Sequence, residues 1–205
     1  MTPDFSPAPT GLAMIPITLA AVGDAMLRTA GEVADGVRLH PLCSRRYLEE
    51  ICLPQITVGM QRSGRRWEQF DIHGGGFVAT GADEPSLAAA IEVVRRRIGF
   101  YGSTRTYRPI LALHGLEDLG LKLHRMSVEG RWNSMAAEVS DDVVRLFAAC
   151  GRHPDLARAV EQRYGGVADS LDLELPPETP IGLQRELLAD IRRIPHRFSG
   201  FRTSW

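Results

Sequence analysis

Ile15-Pro16-Ile17-Thr18-Leu19-Ala20-Ala21-Val22-Gly23-Asp24 decides the fold class of this chain. An apolar run of strand length that ends in glycine is the pattern of a strand buried on both faces, as in parallel sheets. Its proline is compatible with a strand only near the start, where the missing N–H is not needed. From Asp24 to Ala34, Ala25, Met26, Ala30 and Val33 recur at helical spacing, and Asp35-Gly36 stops that helix. A second short apolar stretch, Val37-Arg38-Leu39-His40, follows at once. Strand, helix and strand in this succession make a βαβ unit with parallel strands.

The alternation continues downstream. Ser44 is placed to cap a helix over 45–63 that Pro54 should kink or split. Gly64 ends it, and Phe70 to Thr80 reads as the next strand, strongest over Gly76–Thr80. From Glu84, the residues Leu87, Ala88, Ile91, Val94 and Ile98 form one apolar helical face, with Arg95-Arg96-Arg97 largely outward and Gly99 and Gly102 at the end. Residues 101–140 break the rule with helical stretches around 108–113 and 116–139 joined by Gly115, which reads as an insertion packed over a site. Asp141-Asp142 then caps a helix through Cys150, Pro154 starts a helix to Tyr164, Ser170–Pro176 alternates like a strand, and Gly182–Ile194 is a last helix. Residues 1–14, with Pro3, Pro7 and Pro9, read as an extended arm, and 195–205 as a basic, aromatic tail. Strands each followed by a helix predict an α/β fold, either a (β/α) barrel or a doubly wound sheet.

Composition narrows the function classes. With 205 residues, 44% of them hydrophobic, the chain is not a disordered one, and 24 basic against 25 acidic side chains leave a net charge of −1. Such a balance creates no field to gather nucleic acid or an anionic membrane, so neither partner is expected. Lys122 is the single lysine, and the arginine runs read as solvated faces. Three cysteines, Cys43, Cys52 and Cys150, without CxxC spacing indicate neither a disulfide framework nor a zinc site, and fit a reducing cytoplasm. The apolar run at 12–22 is too short to span a bilayer and has no basic start.

Ala21, Val22, Gly23 and Asp24 stand at the carboxyl end of the first strand, where parallel α/β folds bind ligands. The amides that open the next helix favour an anion there, and Gly23 lets the backbone approach it. The Asp24 carboxylate opposes an anion unless it caps the helix. His40 ends the second strand ahead of Pro41, a position for either a site residue or a satisfied structural histidine. His73-Gly74-Gly75-Gly76 is not a nucleotide loop, because its glycines do not stand between a strand and a helix; a close backbone approach explains them. The six histidines show no metal-ligand spacing, and no GxSxG elbow or other nucleophile pattern marks a catalytic residue.

Read together, 15–23, Ala30-Gly31-Glu32-Val33-Ala34-Asp35-Gly36-Val37 and His40-Pro41 resemble the luciferase-like monooxygenases, the superfamily of TIM barrels dependent on flavin or coenzyme F420. Gly76–Gly81, Phe100-Tyr101-Gly102-Ser103-Thr104, Tyr107-Arg108, Leu113-His114-Gly115, Gly130-Arg131-Trp132 and Arg163-Tyr164-Gly165-Gly166 resemble its F420-dependent oxidoreductase branch. The resemblance implies a (β/α)8 barrel with F420, or alternatively FMN, across the carboxyl ends of its strands, and hydride transfer to or from a small organic substrate. Ala21, Val22, Gly23 and Asp24 would fall at the cofactor phosphate, although Asp24 stands where relatives often carry proline, and His40 would face the ring. Strands one to four of such a barrel have no counterpart here. The implied object is therefore the C-terminal half of a barrel (strands five to eight, residues 15–194, with 101–140 as a helical lid), truncated and not necessarily active alone. Open sheet edges imply a homo-oligomer; a non-catalytic remnant or self-association module of the same fold is the alternative.

Overall fold

A computed structural model describes residues 15–175 and 179–201; the N-terminal arm expected at 1–14 and the end of the tail lie outside them. Strand β1 (Thr18–Ala21), helix α1 (Asp24–Val33) and strand β2 (Gly36–Leu39) form the βαβ unit read from the sequence, with β1 parallel to β2 from Thr18 opposite Gly36 to Ala21 opposite Leu39. Strand β3 (Asp71–His73) adds in parallel on the far side of β2. The fold is α/β with every strand pair parallel among the described residues.

The segment Ala30-Gly31-Glu32-Val33-Ala34-Asp35-Gly36 earns its composition residue by residue. Ala30 is fully buried. Gly31 faces the backbone of helix α3 (Leu53–Ser63), where an added Cβ would overlap the Ile56 carbonyl oxygen; Gly59 of α3 returns the contact, since its Cβ would overlap the Arg28 carbonyl. The Asp35 carboxylate accepts from the Ile17 amide (2.9 Å) and pairs with Arg65 (3.2 Å), and both side chains of that pair are largely covered. One aspartate thus ties the start of β1 to the end of α1.

Between β2 and α3 the expected helix over 45–63 is present but not uniform. Ser44 caps α2 (Arg45–Tyr47) by accepting from the Tyr47 amide, and Leu48–Cys52 is a π-helical stretch that runs into α3. Pro54 lies just beyond it and cannot donate to the preceding turn, and the widened turn accommodates that loss without breaking the rod. Gly64 ends α3 in the left-handed conformation (φ 68°).

Three expectations about the strands need correction. Phe70–Thr80 is two strands in two sheets: Gly74–Gly76 separates β3 from β4 (Phe77–Gly81), and the chain there runs so close to β2 that a Cβ on Gly75 would overlap the His40 carbonyl. The helix expected through Cys150 stops at Phe147 (α7, Asp141–Phe147, capped by Ser140), and Ala148–Arg152 is strand β5, parallel to β4. Small residues hid it, since Ala148, Ala149 and Gly151 carry no strand preference of their own. Leu171–Leu175 is extended rather than a strand, joined to the sheet by one bridge from Ser170 to His73. Its alternation survives, with Leu171, Leu173 and Leu175 half-buried and Asp172 and Glu174 outside.

The long helix α4 (Glu84–Gly102) starts with a reciprocal cap between Asp83 and Ser86. Arg95 is not outward as expected: its guanidinium is covered and bonds the Val139 carbonyl and Asp141. The regular structure of residues 101–140 is all helical, with a 3-10 turn at Arg105–Tyr107, α5 (Arg108–Ala112), α6 (Glu117–Val128) and a second 3-10 stretch at Trp132–Glu138. Helices α8 (Leu156–Tyr164) and α9 (Ile181–Ile191) complete the chain. Leu27, Val37, Leu48, Ile56, Ile72 and Phe147, each 0–1% exposed, share one core under the β1–β2–β3 sheet.

Backbone contact at the α1–α3 crossing leaves no room for a methyl group. Gly31→Ala should cost about 1–3 kcal/mol or more by forcing the two helices apart, read as a lower urea midpoint at unchanged slope. A midpoint equal to that of the parent protein would contradict the packing.

Candidate functional site

Two strand ends and the insertion build the site. After Ala21 the chain passes through Val22 to Gly23, whose φ of 78° is one that other residues rarely adopt, and α1 begins at Asp24. Gly23 accepts the first helical bond from the Leu27 amide (3.1 Å), and no side chain caps the free amides of the first turn. A Cβ on Gly23 would meet nothing within 4 Å, so the backbone faces open space. Such an uncapped N-terminus presents donors and a partial positive charge. Asp24 is exposed and places a carboxylate at the mouth of this donor set, capping nothing.

His40 follows β2 and is half-buried. Its Nδ1 accepts from the Leu42 amide at 3.0 Å, which puts the proton of the neutral ring on Nε2. Tyr107 stacks on the imidazole with ring centroids 4.1 Å apart, and Tyr101 meets it edge-on at 4.5 Å. Both tyrosines come from the end of α4 and the turn after it, so the insertion closes directly on the strand end. Burial pulls the His40 pKa below the ordinary 6.5 and pushes the Tyr107 hydroxyl up.

Of the residues singled out from sequence, Ala21, Val22, Gly23 and His40 line one cavity, together with Cys43 and Tyr47. Asp24 does not line it. The cavity measures about 10 Å³, room for a single water molecule at most. A phosphate at the uncapped start of α1 fits the donors present, whereas a flavin-sized ring does not fit the space between β1, β2 and the insertion. Tyr101 and Tyr107 were not readable as site residues from spacing, because α2, α3, strands β3 and β4 and most of α4 separate them from His40. Their only sequence signal is the Phe100–Thr104 and Tyr107-Arg108 resemblance. Among the described residues no cluster of three or more His, Cys, Asp or Glu side chains could hold a metal ion, and no helix is long and apolar enough to cross a membrane.

Parallel strands with a donor-rich turn and a half-buried aromatic cluster at their carboxyl ends define an α/β protein whose candidate site lies at that edge. The chain belongs to the luciferase-like monooxygenase family, whose model matches residues 1–170. It is 43% identical over 169 residues to an uncharacterized protein of Mycobacterium tuberculosis, covering 82% of this chain and 50% of that one. It is 25% identical over 187 residues to the 5,10-methylenetetrahydromethanopterin reductase of Methanopyrus kandleri, covering 89% of this chain and 50% of the reductase. The solved coenzyme F420 dependent tetrahydromethanopterin reductase of that organism shares the fold, with a TM-score of 0.65 at 21% identity over 88% of this chain and 50% of that one. An F420-dependent secondary alcohol dehydrogenase does so with a TM-score of 0.61 at 15% identity over 87% of this chain and 49% of that one. The chain thus spans about half the length of the relatives it matches.

His73 and His114, like His40, are held below 6.5 first of all by burial. The unfolded chain then binds protons at higher pH than the folded one, so this part of the stability is complete above 6.5 and declines as the pH falls below it. The urea midpoint should be lower at about pH 5.5 than at about pH 7.5, with a smaller drop in His40→Gln. Equal midpoints at both values would contradict the burial of these rings.

Proposed function

We propose that this chain is the strand-five-to-eight part of an F420-dependent, luciferase-like oxidoreductase, acting on a small organic substrate. The observation that carries the reading is the convergence of Ala21, Val22, Gly23 and His40 on one cavity at the ends of two adjacent parallel strands. Family membership and the F420-dependent relatives support the choice of F420 over FMN. In this reading residues 15–194 form a partial (β/α)8 barrel, 101–140 is its lid, and Ala21, Val22, Gly23 and Asp24 hold the cofactor phosphate through backbone amides. His40 faces the ring side. The cofactor, when bound, supplies hydride chemistry; the chain's own contribution is an anion cradle and an uncharged imidazole oriented by Leu42. Three free cysteines support a reducing, cytoplasmic setting.

The small cavity supports a protein that completes its ring site with further strands, or with a second polypeptide. β1 supports the same idea, because among the described residues it pairs on one side only, and Ile15 and Ile17 beside it are 80% and 58% exposed. These features also favour the second reading, a non-catalytic module that self-associates through the edge of β1. Sedimentation separates the two readings from a third case: a stable monomer that binds no hydrophobic dye would remove the association claim.

Titration with F420, followed by its absorbance and fluorescence anisotropy with FMN in parallel, tests the leading reading. F420 should bind when an added polypeptide supplies strands one to four, and more weakly, through its phosphate, to the chain alone. Asp24→Asn should tighten binding by about three- to tenfold, since a charge beside a helix N-terminus is worth roughly 1 kcal/mol. Failure of both cofactors to bind in either format would overturn the proposal.

A further inference from the structure

A larger cavity lies away from the His40 cluster. About 590 Å³ in volume and open to solvent, it is lined by the start of α2, the loop after α5, the end of α7, strand β5 and helix α8. Four arginines line it, Arg45, Arg46, Arg145 and Arg163, against the single carboxylate of Glu49. Arg45 pairs with Glu49 at 2.9 Å and Arg46 with Glu50 at 2.8 Å. The other two cations are poorly matched. Arg145 has only the exposed Asp142 carboxylate, 3.7 Å away.

Arg163 carries the argument. It is 8% exposed, and among the described residues it makes no ion pair. One guanidinium nitrogen donates to the Cys43 carbonyl, and the group lies over the Tyr164 ring at 5.3 Å. Its Nε is buried and has no hydrogen-bond partner. A carbonyl and a ring face account for part of the guanidinium and leave its charge uncompensated; buried charges are ordinarily paired. The fork geometry of arginine matches oxygens of a phosphate or carboxylate, where two N–H groups engage one anion.

We propose that this cavity is a binding site for a multiply charged oxyanion, a phosphate or polycarboxylate group, with Arg163 as the buried anchor and Arg145 as the outer cation. Ser44 and His114, whose hydroxyl and Nε2 are bonded to each other at 2.7 Å, form the wall beside the two charges. The site is distinct from the start of α1, and its occupancy is independent of the F420 reading.

Calorimetry and phosphorus NMR on the full chain without cofactor provide the test, with inorganic phosphate and citrate as probes and chloride at matched ionic strength as the control. Saturable binding of one of the two probes is expected: phosphate alone identifies a phosphate group as the ligand chemistry, citrate alone a polycarboxylate. Arg163→Gln should weaken it by about tenfold or more, as for loss of hydrogen bonds to a charged group. Arg145→Gln, an exposed substitution that leaves the core intact, should weaken it by about threefold, and decides the matter if Arg163→Gln fails to fold. Binding at the start of α1 would ignore Arg145→Gln. Absence of binding by both probes, or binding indifferent to Arg145→Gln, overturns the proposal.

Discussion

Helix α1 meets α3 backbone to backbone, through Gly31 on one side and Gly59 on the other, and the remaining architecture depends on that contact. It fixes how closely α1 lies against the layer behind it, and so where its first turn emerges beyond β1. Asp35, just past the C-terminus of α1, secures the same half of the helix by accepting the Ile17 amide and pairing with Arg65. With the C-terminal half of α1 held in this way, the free amides after Gly23 and the ring of His40 come to the same edge of the sheet. Loss of either glycine would displace a site several residues away without touching it.

That edge combines attraction and restraint. The uncapped helix start offers donors to an anion, while Asp24 sets a negative charge in front of them. The imidazole is uncharged in its buried position and is covered on one face by Tyr107 and at its edge by Tyr101. Both aromatic contacts are delivered by the end of α4 and the turn after it, which hold the ring against the end of β2.

Much of the scaffold was legible in the sequence because its signals are local. The glycine after an apolar run, the spacing from Asp24 to Val33, Ser44 as a cap and Pro54 as a disturbance each acted where they stood, and the elements appear within a few residues of the expected bounds. What escaped was imposed by partners distant in sequence. Ala148–Arg152 becomes a strand because β4 pairs with it, not because alanine and glycine favour extension. Phe70–Thr80 divides because Gly75 must pass the His40 carbonyl. Ala21, Val22, Gly23 and His40 line one cavity and Asp24 does not; the tyrosines over His40, and Arg163 with its unmatched charge, could be placed only by the fold.

Amide chemical-shift mapping during a titration with F420 addresses the central claim most directly, that ligand binding is organised by the turn from β1 into α1. The account predicts that the amides of Gly23, Asp24, Ala25 and Met26 shift first and saturate together, followed by those around His40. Shifts confined to other parts of the chain, with the 23–26 amides unmoved, would contradict it.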